Sequence, residues 1–127
     1  MAVTFKMIPK KNMQVSPPEV KYYPCAVSQG RVDLDTLSQI VASRSTVSEA
    51  DCYGVIVGLT RAIGESLLNG HIVDIDFLGS FALTLQGTAA DSEADLGKAN
   101  IKKTKVIFSP SKGLKSRLKE ISFKRLR

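Results

Sequence analysis

Between Phe77 and Lys115 the chain reads as two strands around a long polar insert, then a proline, then a basic helix. Phe77-Leu78-Gly79-Ser80-Phe81 is a strand-turn-strand signal. Phe81, Leu83 and Leu85 alternate with Ala82, Thr84 and Gln86, the pattern of a half-buried strand. Residues 87–100 are small, polar and acidic, with Leu96 their one large apolar side chain. Ile101 to Phe108 supplies the return strand. On it Val106 and Phe108 share one face, while Lys103 and Lys105 share the other with Ile101 and Ile107. The strand stops near Pro110. A helix then starts at Ser111, with Leu114, Leu118 and Ile121 as its apolar stripe and Lys112, Lys115 and Lys119 on its exposed side. A long β-hairpin with a cationic helix at its foot constrains the rest of the fold, because one face of the hairpin needs cover.

The residues before the hairpin give two helices and a leader. In the leader Val3, Phe5 and Met7 alternate with Thr4, Lys6 and Ile8, which predicts a short edge strand ended by Pro9. Lys21 to Val27 is a second short strand, broken by Pro24, and Ser28-Gln29-Gly30 is a turn. A first helix is expected over Leu34 to Ser43, with Asp33 as N-cap and Leu34, Leu37, Ile40 and Val41 on one face. Ser48-Glu49-Ala50-Asp51 resembles a capping box and opens a long second helix that runs to Asn69, where Gly70 supplies the stop. Cys52, Ile56, Leu59, Ile63 and Leu67 form its stripe. Gly54 and Gly58 each cost a helix about 1 kcal/mol against alanine, and point to close helix approach across a dimer. His71 to Phe77 is a β-run. The fold class is α+β. Two helices and a hairpin sheet leave the long helix and one sheet face uncovered, and a symmetric dimer would bury both.

Charge is segregated along this order. Of 127 residues, 18 are Lys or Arg and 12 are Asp or Glu, for a net charge of +6. Residues 1–21 hold four lysines and one glutamate. Residues 22–100 hold four basic and ten acidic residues, and residues 101–127 hold ten basic residues and only Glu120. Cationic character concentrated in the last strand, helix and tail attracts polyanions and fits nucleic acid, against the plainer reading of a solubilising tail. No apolar run approaches the roughly 18–20 residues of a membrane span, and residues 1–14 lack the apolar stretch of a secretory signal. Cys25 and Cys52 have no CxxC spacing and read as reduced thiols rather than a disulfide or metal site.

At this point the chain resembles the HU and integration host factor family of bacterial histone-like DNA-binding proteins, over about Val32 to Phe123. Leu34 to Ser45 resembles the family's first helix, and Val47-Ser48-Glu49-Ala50 the loop into its long second helix. Phe77-Leu78-Gly79-Ser80-Phe81 is similar to its Gly-Phe-Gly-Thr-Phe turn. Phe108-Ser109-Pro110-Ser111-Lys112-Gly113-Leu114-Lys115 is similar to its Phe-Lys-Pro-Gly-Lys-x-Leu-Lys ending. The leader resembles the HU-related branch with an N-terminal extension. The resemblance implies an intertwined dimer with two N-terminal helices, a three-stranded antiparallel sheet with a long β-hairpin arm, a short C-terminal helix and extra N-terminal strands. It divides the chain into an extension over 1–30, an HU-like DNA-binding domain over 31–123 and a basic tail over 124–127. It implies a homodimer whose arms clasp double-stranded DNA through the minor groove and bend it, a property of the HU and integration host factor proteins themselves. Phe77, Phe81 and Phe108 would then form the aromatic core of the dimer, and the location would be the cytoplasm, in the bacterial nucleoid.

The arm departs from the family's pattern. No proline lies between Phe81 and Phe108, and residues 86–97 contain no Lys or Arg but carry Asp91, Glu93 and Asp95. An acidic tip is repelled by phosphate. Leu96 is either an apolar wedge or a packing residue of the tip. DNA contact is therefore expected at Lys98, Lys102, Lys103 and Lys105, with Lys112 and Lys115 on the last helix, whose N-terminal N–H groups also suit phosphate. Lys6, Lys10 and Lys11 extend the patch if the leader folds back, and Lys124, Arg125 and Arg127 add disordered charge. No cofactor, metal or small-molecule substrate is expected. His71 is an ordinary boundary residue, Asp74 and Asp76 a solvent-facing pair, and neither a Gly-x-Ser-x-Gly elbow nor a Walker loop is present. The function read from these features is non-enzymatic, sequence-tolerant architectural DNA binding through phosphate contacts. The alternative is an HU-fold structural or protein-interaction module whose acidic arm meets a basic partner.

Overall fold

The computed structural model describes residues 2–93 and 97–127. They form two compact units, one of Met1–Asp33 with Arg117–Arg127 and one of Leu34–Ser116. The sequence places boundaries near 30 and 123. The C-terminal residues group with the leader because β6 pairs with β1.

In the first unit, β1 (Ala2–Asn12) lies between β2 (Glu19–Ala26) and β6 (Ser122–Arg125). The β1–β2 pair is antiparallel, with Phe5 opposite Ala26 and Asn12 opposite Glu19. The β1–β6 pair is parallel, from Ala2 opposite Ser122 to Phe5 opposite Arg125. Two expectations change here. Pro9 does not end β1, and Pro24 does not break β2. β6 covers only Ala2 to Phe5, so β1 is an edge at Pro9, and β2 is an edge throughout. A missing N–H is tolerated on an edge. The basic tail is a strand rather than loose charge: Phe123 pairs with Val3, and the Leu126 N–H donates to the Phe5 carbonyl at 2.8 Å.

In the second unit, α1 (Leu34–Ser43) packs against α2 (Glu49–Leu68). The Ser48 hydroxyl accepts the Asp51 N–H at 3.2 Å, which caps α2. At its other end Gly70 takes φ 84, its N–H donates to the Leu67 carbonyl and the His71 N–H to that of Ser66. This pair of bonds is a Schellman closure, which satisfies carbonyls the helix leaves open. β3 (Val73–Ile75), β4 (Gly79–Gly87) and β5 (Ile101–Pro110) make a three-stranded antiparallel sheet in that order. α3 (Lys112–Leu118) follows. It stops one turn short of Ile121, and the Glu120 N–H bonds back to Arg117 before β6 begins.

Little apolar surface is withdrawn from solvent. Among the described residues the buried hydrophobic side chains are Cys52 and Leu67, while Tyr53, Val55, Leu59, Leu68 and Ile72 stay exposed. The β4–β5 pair is the tightest feature. Gly79 is buried with φ 151, and a Cβ there would meet the Ser109 carbonyl and the Phe108 ring. Gly79→Ala is therefore expected to cost about 2–3 kcal/mol, from strained backbone plus displaced neighbours. Denaturant unfolding will read this as a lower midpoint, and Gly64→Ala, where nothing lies within 4 Å, as no loss.

Candidate nucleic-acid interface

The register of β4 on β5 sorts the hairpin side chains into two faces. Phe81 opposes Phe108, Leu83 opposes Val106 and Leu85 opposes Thr104. The two rings stand 5.0 Å apart at 39°, within the range of a stabilising aromatic pair. On the other face Ser80 opposes Ser109, Ala82 opposes Ile107, Thr84 opposes Lys105 and Gln86 opposes Lys103. Lys103 and Lys105 thus share a polar face with Thr84 and Gln86, and both lysines are exposed. No charged group sits directly opposite them on β4.

Lys102 separates from these two. The register shifts between Gln86 and Gly87, which opposes Ile101, so Lys102 is the residue left over in a bulge. Strand alternation puts Lys102 with Thr104 and Val106, and its Nζ donates to the Ala99 carbonyl at 3.3 Å. The shift also moves Ile101 to the Leu85 side, away from the face with Lys103 and Lys105. Lys98 lies in a short 3-10 turn (Lys98–Asn100) beyond the bulge. The six lysines expected from sequence therefore fall into distinct places: Lys103 and Lys105 on the polar hairpin face, Lys98 and Lys102 around the bulge, and Lys112 and Lys115 on α3.

Lys112 and Lys115 are one turn apart on α3 and exposed. The N-terminus of this helix is already occupied: the Ser111 hydroxyl accepts the Leu114 N–H at 3.1 Å. α3 has seven residues, so its side chains, not its end, are the cationic feature. Beyond the bulge, the Thr88 N–H donates to the Asn100 carbonyl at 2.9 Å, and the Asn100 side chain donates to Thr88 Oγ1 at 3.1 Å and to the Ala89 carbonyl at 3.2 Å. This clasp was not foreseen from sequence. An asparagine near a glycine was its only signal. Asp91 and Glu93 follow and are exposed. Asp95 and Leu96 lie outside the described residues.

The aromatic residues also divide. Phe77 has φ 72 and is 93% exposed. It holds the place of the first glycine in the Gly-Phe-Gly-Thr-Phe turn, which suits its left-handed backbone, and Leu78 holds the place of that motif's first phenylalanine. Phe81 and Phe108 pack on each other within the chain, whereas Phe77 has no ring partner among the described residues. Asp74 accepts the Ser80 hydroxyl at 3.2 Å.

A family described as an HU domain fused to wHTH, Ig, or Glycine-rich motif matches residues 1–125. The chain belongs to this HU-HIG family. The match includes the leader and the C-terminal strand as well as the helices and the hairpin. Among solved structures, a Bacteroides vulgatus ATCC 8482 protein provisionally designated a bacterial DNA-binding protein superposes with a TM-score of 0.70 at 14% identity. The superposition covers 98% of this chain and 48% of that one, so the HU-HIG chain spans about half of its length. At this identity the likeness is one of fold. No match is found among curated proteins.

The bulge clasp makes a local prediction. A Cβ at Gly87 would meet the Asn100 carbonyl. Gly87→Ala is expected to open the end of the hairpin, with faster amide exchange at Thr88 and unchanged protection in α2. Equal exchange at both places would show that the bulge tolerates the side chain.

Proposed function

We propose that this HU-HIG chain is a non-enzymatic, sequence-tolerant DNA-binding protein that grips duplex phosphates with the polar face of the β4–β5 hairpin and with α3. The observation that carries this reading is the sorting of Lys103 and Lys105 onto one polar face, followed in the chain by Lys112 and Lys115. Lysines on a strand face and a short helix reach phosphate oxygens and carry no base code. Affinity then comes from counterion release and falls steeply with salt. A cytoplasmic, nucleoid location follows from that role.

The functional unit is a homodimer in this reading. Exposed Tyr53, Val55 and Leu59 on α2, with open space beside Gly54 and Gly58, give a surface that a second copy can approach closely. Phe77 stands ready to be covered in the same way. The acidic residues Asp91 and Glu93 favour a second reading, an interaction module that holds a basic protein at the hairpin turn. Changing Lys112 and Lys115 to Glu separates the two. It abolishes DNA binding under the first and spares partner binding under the second.

Two measurements test the main proposal. Replacing Lys103 and Lys105 with Gln is expected to reduce the log–log salt slope for a random-sequence duplex by about 2, since each phosphate contact contributes about 0.9. Lys102→Gln is expected to change it less. Equal effects would remove the polar-face assignment. For the dimer, Phe77→Gly relieves the left-handed backbone yet is expected to raise the dimer dissociation constant at least tenfold, about 1.4 kcal/mol, in sedimentation equilibrium. Unchanged association would take Phe77 out of the interface.

A further inference from the structure

The sheet of the first unit has two unlike faces. Val3, Phe5, Pro24, Ala26 and Phe123, with Cys25 beside them, line an apolar depression of about 460 Å³. Strand alternation and pairing place a different set on the opposite face. Lys6 opposes Cys25, Lys10 opposes Lys21, and Ile8 opposes Tyr23 on β2. Lys124 opposes Thr4 on β6. Four lysines from three strands thus share one face with a tyrosine. All four lysines are exposed, and Tyr23 is 46% exposed.

This arrangement is not an ordinary solvated strand pattern. Lys10 and Lys21 are direct cross-strand partners, and like charges directly opposite destabilise a sheet. Among the described residues Lys6, Lys10 and Lys124 have no ion pair. Lys21 has one with Glu19 at 3.9 Å, with both side chains more than half exposed, which contributes little and opens readily. The Lys10 amine lies 5.4 Å from the Tyr23 ring centre. Such a contact holds a cation without neutralising it. Neighbouring strands lie about 4.8 Å apart, and Lys6 and Lys10 are roughly 13 Å apart along β1. The result is an array of four lysines with one carboxylate, Glu19, at its end beside Lys21, and its complement is a regular polyanion.

We infer that this lysine face is a second contact surface for the phosphate backbone of duplex DNA, separate from the hairpin and α3. It rests on the DNA-binding reading above for the identity of the polyanion, but not on the same residues. The contact adds affinity and salt dependence without adding sequence preference. β6 makes it possible: the C-terminal strand brings Lys124 onto the face that Lys6 and Lys10 begin.

The test uses the full chain and a short random-sequence DNA duplex, read by anisotropy over a salt series. In a background where Lys103, Lys105, Lys112 and Lys115 are all Gln, residual low-salt binding is expected. Adding Lys6→Gln, Lys10→Gln and Lys124→Gln should weaken that residual binding at least tenfold and lower its salt slope by about 2–3, from about 0.9 per contact. Arg at the same three positions should restore both. All these side chains are exposed, and unchanged circular dichroism verifies the fold. Absent residual binding, or residual binding that the three changes leave intact, overturns the inference while the hairpin reading stands. If instead the four hairpin and α3 changes cost nothing and the three sheet changes abolish binding, the hairpin reading fails and the sheet face is the DNA surface.

Discussion

The opposition of Phe81 to Phe108 fixes the register of the β4–β5 hairpin, and the register decides which lysines act together. The aromatic pair sits at the foot of the ladder beside Gly79, whose lack of a side chain lets the Ser109 carbonyl and the Phe108 ring come close. From that anchor, alternation is obligatory. Leu83 and Val106 continue the apolar face, and Lys105 and Lys103 continue the polar one. A slip of one residue would turn both lysines onto the apolar side. The bulge at Lys102 ends the pattern, so charge beyond it no longer belongs to the same face. Packing at the foot and electrostatics on the stem are therefore one problem in this hairpin.

A second constraint is the amount of apolar surface left in water. A chain of 127 residues has enough length to bury a core, yet α2 keeps Val55, Leu59 and Leu68 exposed, and the turn keeps Phe77 exposed. α2 is capped at both ends but leaves one face open, and the proposed homodimer would cover it. The three glycines Gly54, Gly58 and Gly64, all with open space at the Cβ position, lower helix propensity without any compensation inside the chain.

What was legible in the sequence follows the range of the interactions. α1 was readable to the residue, and α2 to within one residue at each end, because Ser48, Asp51 and Gly70 act on their own neighbours. The hairpin strands were readable from alternation. β6 was not. Phe123 is paired by Val3 across almost the whole chain, and a parallel partner so distant leaves no local mark. The same lack of context made Pro9 and Pro24 look like strand breakers, since only the sheet order reveals that each lies on an edge. The left-handed backbone of Phe77 was not legible either: its residue type gives no sign that its position in the turn takes a backbone conformation usual for glycine. For the candidate site, the residue types were legible, and their division among two faces and a bulge was not, because the extra residue at Lys102 is visible only once Gly87 finds Ile101.

Charge order gives the hairpin a direction. Asp91 and Glu93 stand at its turn, and Lys103 and Lys105 stand on its stem. In the proposed complex, repulsion at the turn and attraction at the stem would set the hairpin with its stem toward phosphate. No proline lies between Phe81 and Phe108, so the turn carries no proline wedge of the kind the HU and integration host factor proteins use. Contacts along a stem act on the backbone as it is. On this reading the chain gains affinity by adding phosphate contacts over a wide surface, not by deforming DNA at a point. In the proposed function the stem, α3 and the lysine face of the N-terminal sheet would each add phosphate contacts, each tolerant of sequence and each weakened by salt.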